Sequence, residues 1–240
     1  MLPDSENIRY SRQIKLFGEE GQEKLKNARV FIAGAGGLGS IISIYMAAAG
    51  FGSIRIADCD LVDPSNLNRQ ILHHCCDVGK SKAESAEESL LGINHEIDVE
   101  ALSLTIGEGN IDHLLDGCDL IMDATDNFDT RYILNRAALR RAIPLFHGAI
   151  CGMQGQATTI IPGRSACLRC IFPRAPPSQT FPALGSTCGV IGSIQVTEAL
   201  KYVIGTGDLL ENRLLLWDGL YARMDELAVE RNDHCEDCCP

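Results

Sequence analysis

No apolar run in this chain is long enough to cross a bilayer: the segment 40–49 stops well short of the roughly 20 residues a spanning helix needs. Positive charge is scarce as well. The 21 Lys and Arg face 32 Asp and Glu, which leaves a formal net charge of −11. That deficit argues against nonspecific binding to nucleic acid or to an anionic membrane surface. Residues 1–10 are polar and carry no secretory leader, so a cytoplasmic location is expected. Internal repeats and a clear interdomain linker are absent too, and with 240 residues, 45% of them hydrophobic, a single domain over 1–240 is expected. Eleven cysteines in such a compartment read as metal ligands or reactive thiols rather than disulfides.

The stretch 30–58 organises the rest. A short apolar run (Val30, Phe31, Ile32, Ala33) meets a turn containing Gly34, Gly36, Gly37 and Gly39, then an Ala-rich apolar run closed by Gly50. A second short run, 53–57, ends on Asp58. Strand, tight turn, helix, strand and acid form a βαβ nucleotide-binding unit. Glycines let the backbone approach phosphates, the helix start offers free N–H groups, and an acid at the second strand tip can accept ribose hydroxyls. Gly34, Gly36 and Gly39 also satisfy the dinucleotide fingerprint, so at this point ATP and NAD are both open.

Upstream, residues 1–28 read as a helical arm in which Arg9 and Arg12 suit a solvated face. Downstream, Asp63-Pro64-Ser65 is turn chemistry that can cap a short helix. Arg69 follows the Asp58 strand tip closely enough to face nucleotide phosphates. The segment 79–90 reads as a helix with Lys80 and Lys82 in its first turn, where a cation opposes the helix dipole. Strands are expected at 97–104, 120–122, 143–146 and 155–161, short helices at 111–115 and 130–141, and a terminal hairpin around Asp218-Gly219. The fold class is therefore α/β: a Rossmann-like, doubly wound, mainly parallel sheet with a C-terminal antiparallel extension. Asp123, Asp126 and Asn127 cluster after the 120–122 strand, where carboxylates beside a triphosphate suit Mg²⁺. The competing role for Asp126 is capping the helix that follows. Cys167 and Cys170 form one CxxC and Cys235 and Cys238 another, a pattern that fits a tetrahedral Cys₄ zinc site. A redox pair or unrelated thiols would read the same way, and His234 and Cys239 flank the second pair. Residues 174–184, rich in Pro and Ser, read as a mobile loop across the site, and 190–204 as an apolar helix.

In order along the chain, RYSRQ, GAGGLGS, Asp58, DPSNLNRQ, GKSKAES, ATDN, CLRC, GVIGSIQVTEALK and CEDC resemble the MoeB/ThiF/HesA family, relatives of the ubiquitin-activating enzymes. The resemblance covers nearly the whole chain and favours ATP. It implies adenylation of the C-terminal glycine carboxylate of a small ubiquitin-fold sulfur carrier with a Gly-Gly end, with a sulfur donor such as a cysteine desulfurase acting afterwards. Carried over by motif, Gly34, Gly36, Gly37 and Gly39 cradle ATP and Asp58 holds the ribose. Arg69 and Lys82 bind phosphates, and Asp126 binds Mg²⁺. Asn66, Gln70 and Asn127 complete the nucleotide-binding set. Arg12 would reach the ATP of a second subunit, which implies a homodimer. Cys167, Cys170, Cys235 and Cys238 match structural zinc ligands. On this reading 29–150 is the nucleotide-binding core and 151–240 the carrier- and zinc-binding part.

The chain departs from the family at the loop. Some relatives carry a cysteine there that links covalently to the carrier; the matching position falls near Ser178, and no cysteine lies between Cys170 and Cys188. The loop is also short, and PALGST replaces an AGV-type run. Cys188 reads as a small buried residue. Adenylation without an obligatory thioester is expected. An NAD-dependent oxidoreductase, a non-catalytic scaffold for a ubiquitin-like partner, and an enzyme activating a small carboxylate or peptide are the alternatives.

Overall fold

The computed structural model describes residues 2–176 and 181–239. Two N-terminal helices, α1 (Asp4–Arg9) and α2 (Ser11–Asn27, kinked at Gly18), form the expected arm. The core then runs β1 (Arg29–Ala33), α3 (Gly37–Ala49), β2 (Ser53–Ala57), α4 (Lys82–Ile93), β3 (Asp98–Leu102), α5 (Ile111–Leu114), β4 (Leu120–Asp123), α6 (Phe128–Arg141) and β5 (Leu145–Cys151). After it come β6 (Gln154–Ile160), α7 (Leu168–Ile171), α8 (Gly185–Ile204), β7 (Arg213–Asp218) and β8 (Arg223–Ala228).

All eight strands join one sheet in the order β3-β2-β1-β4-β5-β6-β7-β8. The first five are mutually parallel and the last three antiparallel. The central strands β1 and β4 are buried on both faces, and the alternation along the parallel strands divides the core. Val30, Ile32, Ile54, Ile56, Leu120 and Met122 point to one face, under a layer that includes Ile42 and Met46 of α3, Leu90 of α4 and Ile191 of α8. Phe31, Ala33, Ala57 and Ile121 point to the other, under Ile111 of α5, Leu134 of α6 and Leu168 of α7. The edge strand β8 is exposed at every position.

Three boundaries depart furthest from the sequence-based expectation. The helix expected over 79–90 begins at Lys82, because Gly79 takes a left-handed conformation and Ser81 occupies the N-cap position. The strand expected at 143–146 continues to Cys151, where pairing with β6 extends it beyond the apolar run. The last long helix starts at Gly185 rather than 190, drawing Thr187 and Cys188 into the packed layer. Part of the expected mobile loop, including Ser178, lies outside the described residues.

Candidate active site

The chain reverses its winding direction between β1 and β4, and the crevice at the C-terminal ends of these strands is where open α/β sheets bind ligands. The glycine turn sits there. Gly34 has φ +103°, in the left-handed half of backbone space, and a Cβ on it would meet the carbonyl oxygen of Ala124 at 2.9 Å. A Cβ on Gly39 would lie 2.0 Å from the Gly34 carbonyl oxygen, so α3 starts as close to β1 as bare backbone allows. The helix carries no side-chain cap at its N-terminus, which leaves its first N–H groups available to an anion. Asp58, just past β2, accepts from the Ala35 N–H through Oδ2 and from the Asp60 N–H through Oδ1, both at 2.8 Å. It braces the turn while facing the crevice.

The Asp63 side chain caps a short 3₁₀ turn (Pro64–Asn66) as the turn chemistry predicts, accepting from the Ser65 N–H at 2.8 Å. Hydrogen bonds from Ser65 hold this exposed carboxyl below its ordinary range. The turn orients Arg69, whose Nη1 donates to the Ser65 carbonyl and to Asn68 Oδ1 at 3.0 Å. Lys82, the first residue of α4 and 5% exposed, donates from Nζ to Asp60 Oδ2 at 2.9 Å. Gln70 lies beneath the crevice with its Oε1 buried and without a hydrogen-bond partner.

At the end of β4 the acids separate. Asp126 is exposed, and its hydrogen-bond partner is the Asn127 side-chain amide at 3.3 Å. The cap of α6 is Asn127, which accepts from the Thr130 N–H at 2.9 Å, so the alternative role of Asp126 as that cap is corrected. Asp123 is corrected too: it is fully buried and turned away from the crevice. It accepts from Thr125 and faces His147 Nδ1 at 2.7 Å, with Arg131 Nε 3.6 Å away. Burial alone would raise the Asp123 carboxyl, but the His147 hydrogen bond and the Arg131 charge hold it below its ordinary range. Burial pushes the His147 imidazole down.

These groups line one cleft of about 1400 Å³. It gathers Gly34, Gly36, Gly37, Asp58, Arg69, Gln70, Lys82, Asp126 and Asn127. Gly39 packs behind the turn, Asn66 lies to the side, and Arg12 is exposed on the arm, outside this chain's own cleft. Arg131, Gln156 and Trp217 are among the residues that line the cleft without having been singled out in the sequence. Arg131 had a legible signal: four residues after the cap, a helical side chain lies back over the helix start. The cleft continues past β5 onto β6 and β7, flanked by Phe181 and Pro182 from the loop. Cys188 is buried against the glycine turn, and burial raises its thiol.

On the opposite face, the two CxxC pairs converge. Cys167 Sγ lies 3.8 Å from Cys170 and 3.6 Å from Cys235, and Cys170 lies 3.5 Å from Cys238. A tetrahedron with Zn–S bonds of about 2.3 Å has edges near 3.8 Å, so the four sulfurs are spaced to hold a zinc ion.

The sequence profile of the ThiF family matches residues 10–238. This chain belongs to the ThiF family. The SAMP-activating enzyme E1 of Haloferax volcanii is 41% identical over 238 residues, covering 96% of this chain and 88% of that protein. An adenylyltransferase and sulfurtransferase, MOCS3 of Drosophila persimilis, is 42% identical over 99% of this chain but only 54% of its own length. This ThiF-family chain thus spans about half of the fly enzyme. The crystal structure of E. coli MccB with MccA-N7isoAsn superposes with a TM-score of 0.88 at 24% identity, over 98% of this chain and 75% of that one, a likeness of fold. No helix among the described residues is long and apolar enough to cross a membrane.

Proposed function

We propose that this chain transfers AMP from ATP to the C-terminal glycine carboxylate of a small ubiquitin-fold sulfur carrier of the MoaD/ThiS type, releasing pyrophosphate. Such a carrier would serve molybdopterin, thiamine or a related sulfur-transfer route. The observation that carries the reading is the convergence of an uncapped glycine turn, Asp58, Arg69, Lys82 and Asp126 on one cleft that runs on over β6 and β7. The names of the curated relatives point the same way.

The carrier carboxylate attacks the α-phosphorus, the new P–O bond forms, and the bond to pyrophosphate breaks in line. No general base is required, so the protein's task is placement and charge stabilisation. The turn N–H groups and Asp58 fix the nucleotide, while Arg69 and Lys82 meet the phosphates. Asp126, an exposed carboxylate with one weak partner, fits a hard cation; bound Mg²⁺ would neutralise phosphate charge there. Arg12, idle in its own subunit, is assigned to the cleft of a second copy in a homodimer. The four cysteines are assigned to structural zinc. The flexible Gly-Gly tail would enter along β6 and β7 beneath the loop, and a cysteine desulfurase or similar donor would then supply sulfur to the acyl-adenylate.

The test is carrier-dependent ATP–pyrophosphate exchange with a panel of small Gly-Gly-ending carriers, beside an Asp126→Ala control. Exchange with one carrier, lost in the control, is expected. Measurable ATP binding without exchange for any carrier would redirect the assignment to a small carboxylate or peptide. A carrier–enzyme adduct that disappears in Cys188→Ala would overturn the expectation that no thioester is needed.

A further inference from the structure

Ala35, in the middle of the glycine turn, is fully buried, and side chains hold both of its backbone polar groups. Asp58 takes the N–H, and His73 Nε2 lies 2.9 Å from the C=O. His73 is itself 4% exposed, and its Nδ1 sits 2.9 Å from Ser85 Oγ on α4, one turn beyond Lys82. A carbonyl only accepts, so Nε2 carries a hydrogen; burial pulls the imidazole below its ordinary range, and Nδ1 faces the Ser85 hydroxyl, which also meets the Asp77 carboxylate. Ser89 Oγ donates to the Leu72 carbonyl at 2.7 Å, a second tie between this segment and α4.

The peptide plane makes this arrangement consequential. The C=O of Ala35 and the N–H of Gly36 belong to one rigid trans unit and point in opposite directions. Fixing the carbonyl toward His73 fixes the Gly36 N–H on the other side, where Gly36 lines the cleft. No group among the described residues accepts that N–H. Through Ser85, the same imidazole is tied to the helix that begins with Lys82.

We propose that His73 is a positioning residue for ATP, holding the Gly36 N–H and the Lys82 helix in the one relation in which both meet the phosphates. The inference rests on ATP occupying this cleft. Without His73 the 35–36 peptide is free to rotate toward another partner, and the turn loses its donor.

The experiment is calorimetric titration of ATP into the wild-type chain and the variants His73→Phe, His73→Gln and Ser85→Ala, with exchange kinetics alongside. His73→Phe is expected to weaken ATP by about tenfold, the worth of one well-placed hydrogen bond, and to raise the KM for ATP by the same factor. The KM for the carrier should stay within about twofold, because the tail enters from the other end of the cleft. His73→Gln, whose amide can donate to the Ala35 carbonyl, should recover most of the loss. Ser85→Ala should weaken ATP by roughly threefold, and it decides the matter if the Phe variant does not fold. ATP affinities within about twofold of wild type in the variants that fold, whatever their melting temperatures, would overturn the inference and leave the proposed function standing. A wild-type chain that binds no ATP would overturn both.

Discussion

In the parallel half of the sheet, the groups that face the cleft are set by hydrogen bonds the protein makes with itself. Asp58 and His73 pin Ala35, Asp63 caps the turn before Arg69, Asp60 holds Lys82, and Asn127 caps the helix beside Asp126. The four thiols come from two CxxC pairs set 68 positions apart; Asn135 of α6 holds the Leu168 N–H and Asp237 beside them, but the sulfurs themselves meet chiefly one another. Burial pushes the Cys167 thiol up to about 12 and raises Cys238 as well, whereas at Cys170 burial is outweighed by hydrogen bonds, the Asn232 N–H first among them, which hold the thiol below its ordinary range. Thiol–thiol contacts are weak, so a divalent cation that displaces the thiol protons would lock this corner. On the proposed reading, the nucleotide site is built to exist before its ligand arrives, whereas the thiol site would be completed by its metal.

That contrast can be broken from either side. The largest effect is expected from Gly39→Ala, because the new Cβ meets backbone rather than a movable side chain. Exchange should fall by about a hundredfold or more while zinc content, measured by atomic emission, stays at the wild-type value. Zinc lost along with activity would mean that the halves are not independent. Next comes Cys235→Ser or chelation, which should release the metal and cost on the order of several kcal/mol of stability. ATP affinity at a temperature where the chain remains folded should change by less than about threefold. A collapse of ATP binding there would show that the thiol corner shapes the cleft.

Two smaller effects sharpen the comparison. His73 and His147 both titrate below their ordinary range when folded, so between the folded and unfolded values the unfolded chain holds more protons. Stability should therefore fall as pH drops from about 7 toward 5.5, and less steeply in His147→Gln. Asp123, held down when folded, adds its own loss only in more acidic solution, as pH falls through its folded value. Equal slopes in the variant and the wild type would remove His147 from this account. Asn127→Ala should cost about 1 kcal/mol in thermal denaturation through loss of the α6 cap. A cost indistinguishable from zero would return the capping role to another group.

Much of the nucleotide half was legible because its signals are local. A strand, a glycine turn, an apolar helix and Asp58 lie within thirty consecutive positions, and each residue type has a backbone reason to be there. The two CxxC pairs were legible as candidate metal ligands, but a redox pair read the same way until the structure brought the four sulfurs together. What stayed hidden arises between elements. His147 meets Asp123 because β4 and β5 pair in a register that places them side by side. His73 reaches Ala35 across 38 positions, and nothing in the spacing of either announces it. Asp126 and Asn127 are neighbours with similar capping preferences, and only the backbone geometry of the loop separates cap from free carboxylate.

The open edge of the sheet has a consequence for how the molecule behaves in a crowded solution. Six consecutive exposed residues of β8 present unpaired backbone groups to any other strand that comes near. The strand reads RMDELA, and Arg223, Asp225 and Glu226 interrupt what would otherwise be a sticky template. Beyond this local protection lies the long-range repulsion between molecules that each carry a net charge of −11. Acidification or high salt weakens that repulsion, and colloidal stability should decline before the fold does. The acidic surplus that argues against nucleic acid as a ligand thus also keeps one molecule's open edge from being completed by another's.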